Sequence, residues 1–278
     1  MIKVNGKGLD KCFSFSGGER QIRLPKLELN LSEPDNRSIT VDCKLKSSDD
    51  IMDMLLVDNA LWKKYQGFFL VTFNIHYLPY ARQDKVCSPG EAVSTEVMGT
   101  LLSTMNADRV NVADVHSKQS FCTGPKVGEL SCLDIFKANP DILDGITALV
   151  SPDAGSSAKV RAIGAHFNLP VIYCEKKRDT KTGWITDYKI KRGVEYISEG
   201  SLLVIDDICD GGKTFELLSK SLDNFTTNGG EIAESLKLYV THGIFSKGID
   251  KLDEMYDKII TTNSWYEENY LNVKVIKL

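Results

Sequence analysis

The segment SLLVIDDICDGGKTFELL, Ser201 to Leu218, holds the densest set of reactive side chains in the sequence. An apolar run ends in Asp206 and Asp207, passes Asp210, Gly211 and Gly212, and enters a helical pattern that bears Lys213 and Thr214. Glycines let the backbone approach a phosphate closely, and the exposed N–H groups of a helix start favour negative charge. Gly211, Gly212 and Thr214 suit that purpose. Asp206 and Asp207 would repel a phosphate, so their targets are ribose hydroxyls or a magnesium ion with its waters. A sugar phosphate meets both requirements. For the aspartate pair taken alone, an acidic strand-to-helix turn with no ligand is the alternative.

Other polar groups follow apolar runs in the same way. Arg82 and Gln83 come after a strand-like segment, which puts a guanidinium and an amide at the ligand edge of a sheet, in reach of nucleotide phosphates and ring atoms. An arginine paired at the surface with Asp84 is the plainer alternative. His116 and Asp153 follow runs ending at Val112 and Val150, and both are candidate ligands of one magnesium, directly or through water. Lys176 and Arg178 stand between LPVIYC and the polar DTKTGW (Asp179–Trp184), which reads as a mobile loop. Cations closing over a phosphoryl-transfer site stabilise the charge that develops there, although KKRD in isolation is ordinary solvated surface. In FSGGER (Phe15–Arg20), an aromatic ring, Phe15, and a carboxylate acceptor, Glu19, flank a Gly pair. A Gly-Gly hairpin turn with one buried Phe accounts for the same residues.

Short β-rich runs alternate with helical stripes, the pattern of an α/β protein with parallel strands. The runs 68–75, 108–115, 146–151, 169–174, 201–206, 236–241 and 258–262 are predicted strands. Helical stripes are Ile51, Met54, Leu55, Val57 and Leu61; Val93, Val97, Leu101 and Met105; Val160, Ile163 and Phe167; and Phe215, Leu218 and Leu222. Pro and Asp interrupt the pattern near KANPDILDG (Lys137–Gly145), which predicts two related domains, 1–140 and 141–278. With 278 residues, 42% hydrophobic and 26% charged, the chain suffices for one large or two modest cores. The net charge of -4 is spread along the sequence and offers no broad positive surface for nucleic acid. No run approaches the ~20 apolar residues of a membrane span, and the first residues lack the apolar core of a signal peptide, so the expected location is the cytoplasm. Seven cysteines without finger-like CxxC pairs predict reduced thiols.

The Asp206–Thr214 segment resembles the phosphoribosyl-diphosphate motif shared by phosphoribosyltransferases and ribose-phosphate diphosphokinases. YLPYARQDK (Tyr77–Lys85), ADVHSKQSF (Ala113–Phe121), SPDAGS (Ser151–Ser156), EKKRD (Glu175–Asp179) and THGIFS (Thr241–Ser246) resemble the diphosphokinase motifs in the same order. The resemblance implies two phosphoribosyltransferase-like α/β domains, each a mainly parallel sheet flanked by helices. It implies transfer of pyrophosphate from ATP to ribose 5-phosphate, with Mg2+ as cofactor. ATP contacts then fall to Arg82, Gln83, Asp84, His116, Phe15 and Glu19, and metal contacts to His116 and Asp153. Ribose 5-phosphate contacts fall to Asp206, Asp207, Asp210, Gly211, Gly212, Lys213 and Thr214, and catalysis to Lys176 and Arg178. Asp207 is a candidate general base. In the family the Phe15–Arg20 loop reaches the adenine site of a neighbouring subunit, which implies at least a dimer. A phosphoribosyltransferase would leave RQD, VHS and SPDAG idle, and an inactive regulatory relative would not need Lys176 and Arg178. Two positions depart from the family pattern. The usual Asp-Thr-Gly-Gly-Thr loop here reads Asp210-Gly211-Gly212-Lys213-Thr214, losing a hydroxyl and gaining a cation that either compensates or points to solvent; and Gly17 stands where Asp or Asn is usual. Allosteric control by nucleotides is not carried over.

Overall fold

The computed structural model describes residues 1–29, 37–117, 126–178, 185–197, 200–227, 233–268 and 270–278. The chain divides into two compact units, Met1–Ser131 and Cys132–Leu278, rather than at 140/141. The shift has a packing cause. Cys132, Ile135, Phe136 and Ile142 are buried in a core with Leu149, Val160 and Tyr239, so the helix before the Pro-Asp interruption belongs to the second unit.

In the first unit, β1 (Ile2–Val4) and β2 (Lys7–Gly8) are followed by a hairpin of β3 (Lys11–Ser14) and β4 (Arg20–Arg23). Then come β5 (Ser38–Lys44), α1 (Ser48–Tyr65), β6 (Leu70–Tyr77), α2 (Ser94–Ser103), β7 (Arg109–Ala113) and β8 (Val127–Leu130). The sheet order is β2-β1-β5-β6-β7-β8, with β5 to β8 parallel. Helix α1 begins where the Ser47 side chain accepts from Asp50 N, carries Asp49 and Asp50 in its first turn and Lys63 and Lys64 in its last, and ends on left-handed Gln66. Its buried face includes Ile51, Met54, Val57 and Leu61, as the stripe predicts. Helix α2 differs by one step of the spiral. Met98 and Leu102 are buried while Val97 faces solvent, so the helix, which runs from Ser94 to Ser103, buries the face one position on from the predicted stripe.

In the second unit, α3 (Cys132–Ala138) leads to β9 (Ile146–Ser151), α4 (Ser157–Phe167), β10 (Val171–Arg178) and β11 (Ile185–Arg192). The chain continues through β12 (Ser201–Cys209), α5 (Lys213–Thr227), β13 (Ser235–Gly243), α6 (Asp250–Asp253), β14 (Lys258–Thr262) and β15 (Val273–Ile276). The order is β11-β10-β9-β12-β13-β14-β15, with β11 the antiparallel edge. Side chains of β12 alternate between two cores: Leu202 and Val204 pack with Phe215 and Leu218, and Leu203 and Ile205 pack with Val160 and Ile163. Helices therefore cover both faces. From β9 the chain winds outward to β10 and then returns to β12 on the other side, which makes the gap between the ends of β9 and β12 a topological switch point, the usual ligand crevice of such sheets. Among the described residues no helix is long and apolar enough to cross a membrane, and Cys12, Cys43, Cys87, Cys132, Cys174 and Cys209 are free thiols.

Candidate active site

The switch point of the second unit gathers three carboxylates and a cation. Asp153 lies just beyond β9, held by Ser156, whose N–H donates to its Oδ1 at 3.1 Å and whose hydroxyl donates to its carbonyl at 3.1 Å. The Lys176 ammonium forms an ion pair with Oδ2 of Asp153. Lys176 reaches it from within β10 itself. The sequence reading put Lys176 and Arg178 after the strand, but β10 runs on to Arg178, where β11 pairs with it from Tyr173 to Arg178. Residues 179–184, the expected mobile loop, lie outside the described residues.

Asp206 and Asp207 lie inside β12, which extends to Cys209 instead of ending at the acidic pair. The Asp206 carboxyl is pushed well above the usual carboxylate range, first by burial and then by the negative charge of Asp207 and Asp153, with Lys159 opposing. The Asp153 carboxyl lies below that range, since the charge and hydrogen bond of Lys176 outweigh its burial. The crevice thus has an excess of acceptor oxygens. Among the described residues no group of three His, Cys, Asp or Glu side chains is arranged to hold a metal.

Next to the acidic pair, the 209–214 loop is fastened to the loop after β13. Ile244 N and Phe245 N donate to the Cys209 carbonyl at 2.8 and 3.1 Å, and Ser246 N donates to the Asp210 carbonyl at 3.1 Å. The Ser246 hydroxyl donates to Asp210 Oδ1 at 2.6 Å. Gly212 has φ +75 and caps α5, its carbonyl accepting from Phe215 N and Glu216 N at 3.0 Å each. Lys213, 61% exposed, reaches back to Glu216 at 3.4 Å, so the cation gained in the loop points to solvent. Thr214 lies in the first turn of α5, and the buried Tyr188 of β11 has its hydroxyl pushed above its ordinary proton affinity, first by burial and then by the charges of Asp153 and Asp206, with Thr214 opposing. Sequence reasoning missed Tyr188 and gave Ser246 no role. The first is visible only once Lys176 and Tyr188 are seen opposite each other in the β10–β11 ladder; the second lay inside the quoted THGIFS segment.

In the first unit, Arg82, Gln83 and Asp84 occupy the loop between β6 and α2, and His116 lies beyond the end of β7. Strands β6 and β7 are parallel neighbours, with Ile75 beside Val112, so both loops leave the same sheet edge. Gln83 is tied to the start of α2: its side-chain carbonyl accepts from the Ser94 hydroxyl, and its backbone carbonyl accepts from Thr95 N at 3.3 Å. Arg82 and His116 are exposed there. Phe15 and Glu19 belong to the β3–β4 hairpin, where Phe15 N donates to the Glu19 carbonyl at 2.8 Å and Gly18 takes φ +96. The hairpin turn is real, but Phe15 is 53% exposed rather than buried and meets Phe13 edge-on at 5.2 Å. Arg20 fixes the hairpin to α1, its Nε 2.9 Å from Asp53 Oδ1 and a terminal nitrogen 2.5 Å from Oδ2.

No protein-family model matches the chain. A ribose-phosphate pyrophosphokinase of Pyrococcus furiosus is 27% identical over 255 residues, covering 90% of this chain and 84% of the relative. One of Granulibacter bethesdensis is 30% identical over 208 residues, covering 73% of this chain; the match spans 62% of the relative's length. The crystal structure of phosphoribosylpyrophosphate synthetase from Mycobacterium smegmatis superposes with a TM-score of 0.73 at 21% identity, covering 97% of this chain and 86% of that one. Two open, mainly parallel sheets flanked by helices define an α/β protein of two units that shares the fold of that synthetase. Relatives of that one name match along most of the chain's length, so the chain resembles the ribose-phosphate pyrophosphokinases.

Proposed function

We propose that the protein transfers the pyrophosphate of ATP to the anomeric hydroxyl of ribose 5-phosphate, giving 5-phosphoribosyl-1-diphosphate and AMP. The observation that supports this most is the meeting of Asp153, Lys176, Asp206 and the Gly212-capped start of α5 at the switch point of the second unit. Asp206 and Asp207 accept from the ribose hydroxyls, and the 210–214 loop receives the 5-phosphate on backbone N–H groups and the Thr214 hydroxyl. Arg82, Gln83 and Asp84, with His116 on the same sheet edge, hold ATP. Phe15 and Glu19 of the anchored hairpin serve the adenine of a second copy, so the active unit is at least a dimer.

The donor set suits magnesium. Asp153, Asp206 and Asp207 are hard oxygen donors, and burial, then the charges of Asp207 and Asp153, raises the proton affinity of Asp206, a cost a divalent cation would lower. In the second unit Asp153 is the main candidate ligand, directly or through water; in the first unit His116 is a separate candidate for a metal contact. When bound, the ion neutralises phosphate charge and polarises the attacked phosphorus. Lys176 and Arg178 then supply the cations that count most as negative charge gathers on the β-phosphoryl oxygens, and positioning provides most of the remaining rate.

The test is incubation of purified protein with ATP, magnesium and ribose 5-phosphate. AMP should appear in step with a new phosphorus resonance for a sugar diphosphate. Absence of AMP, or consumption of added phosphoribosyl diphosphate with a nucleobase instead, would overturn the assignment.

A further inference from the structure

The sugar-phosphate loop poses a charge problem. A phosphate dianion seated at the start of α5 lies close to Asp210 and not far from Asp206 and Asp207, and a helix terminus supplies only about half an elementary charge against them. A cation is needed, and Lys213, the obvious candidate by sequence, is turned out to solvent on Glu216.

The structure offers another. Residue 211 is glycine where the related motif carries threonine, and the space beside its Cα is lined by the stem of Lys247. A Cβ built on Gly211 would stand 3.5, 3.6 and 3.8 Å from Cδ, Cε and Cγ of Lys247. That is ordinary van der Waals distance, which places the aliphatic stem of the exposed Lys247 beside the phosphate loop and leaves its head free to meet a bound anion. The placement is built in. The loop bearing Lys247 is stapled to the 209–210 carbonyls by the backbone N–H groups of Ile244, Phe245 and Ser246, and to the Asp210 carboxylate by the Ser246 hydroxyl. Phe245 (φ +48) and Gly248 (φ +80) hold the tight turn on either side of it.

We propose that Lys247 is a ribose 5-phosphate-binding residue of this chain, its ammonium supplying a charged donor to the phosphate where the related motif has only the neutral hydroxyl of threonine at position 211. The proposal rests on the functional reading above and adds to it the residue that neutralises the 5-phosphate. Lys247 acts on the sugar phosphate before and during transfer alike, so its loss should weaken binding without slowing the bound complex.

Calorimetric titration of the full chain with ribose 5-phosphate, beside kinetics, tests this. Lys247→Ala should raise Kd and KM for ribose 5-phosphate about tenfold with kcat and KM for ATP nearly unchanged, the size expected of one charge-assisted hydrogen bond. Lys247→Arg should retain most of the affinity, and Lys213→Ala, whose side chain is paired with Glu216, should weaken it less than Lys247→Ala does. Unchanged ribose 5-phosphate affinity in Lys247→Ala, or an equal loss in Lys213→Ala, would overturn the role of Lys247 alone. A wild-type protein that binds no ribose 5-phosphate and releases no AMP would overturn the functional reading as well.

Discussion

Lys176 and Asp153 form an ion pair across the β9–β10 edge of the switch point, with both side chains largely withdrawn from water. The ammonium assigned to the transition state is thus docked, in the free protein, on the carboxylate assigned to the metal. Lys176→Ala should lower stability by about 1–2 kcal/mol at neutral pH, between the values for exposed and buried pairs. Asp153 titrates below its ordinary range in the fold, so the contribution of the pair is fully present above the unfolded carboxylate value of about 3.9 and is lost as pH falls through the lowered one. Thermal unfolding of both proteins against pH should show the gap closing in acid. Turnover should fall about a hundredfold, with ATP affinity changed far less.

Asp206 has the opposite sign. Its folded value is raised, so the carboxyl favours folding while protonated, below the unfolded value, and becomes a liability as pH rises through the folded one. Asp206→Asn removes that liability. The ligand-free variant should unfold a few degrees higher than wild type at neutral pH and lose ribose 5-phosphate binding, a trade of function for stability. Manganese titration followed by electron paramagnetic resonance should find wild-type affinity rising with pH, because the protonated carboxyl cannot ligate, and that dependence weakened in the variant. A variant no more stable than wild type would mean the repulsion is already relieved.

The parallel core strands were legible in the sequence because burial on both faces leaves continuous apolar runs. Ile146–Ser151 and Lys258–Thr262 fall where the runs predict. Elements with mixed surroundings were not. Strand β5 has the alternating SITVDCK, and β11 carries ITDYKIKR, whose lysines face solvent while Tyr188 and Ile190 face the core. Without its partner strand, β10 reads as ending where its charges begin. In the site, residue types identified the acidic pair and the glycine turn, but side-chain direction decided the rest. Lys213 and Lys247 are both exposed lysines beside glycine, and only the fold separates the one paired with Glu216 from the one whose stem lies beside Gly211.

The β3–β4 hairpin depends on a single fork. Arg20 meets both oxygens of the nearly buried Asp53 on α1, and Cys12 donates to the same carboxylate at 3.0 Å. If Phe15 and Glu19 serve adenine, loosening this fork should cost nucleotide affinity and nothing else. Arg20→Ala is expected to raise KM for ATP severalfold with ribose 5-phosphate binding unchanged. Arg20→Lys should fail to restore it, because a point charge cannot span two carboxylate oxygens. Parallel losses for both substrates would assign the fork a purely structural role.

Gly211 and Gly212 are adjacent but face different constraints, and the contrast between them checks how the phosphate loop is built. At Gly212 the backbone is left-handed, and an added Cβ would stand 3.3 Å from Cδ1 of the buried Leu252, so alanine meets both strain and crowding. Gly212→Ala should cost about 1–2 kcal/mol in denaturant unfolding and weaken ribose 5-phosphate binding by tilting the first N–H groups of α5. Gly211 has no left-handed backbone, and its Cβ would touch only the Lys247 stem at ordinary distance. Gly211→Ala should therefore leave stability within about 0.5 kcal/mol of wild type and leave the sugar phosphate bound. Equal damage at both positions would mean that the loop tolerates no side chain at all, and that the glycine at 211 is there for the backbone rather than to admit a lysine.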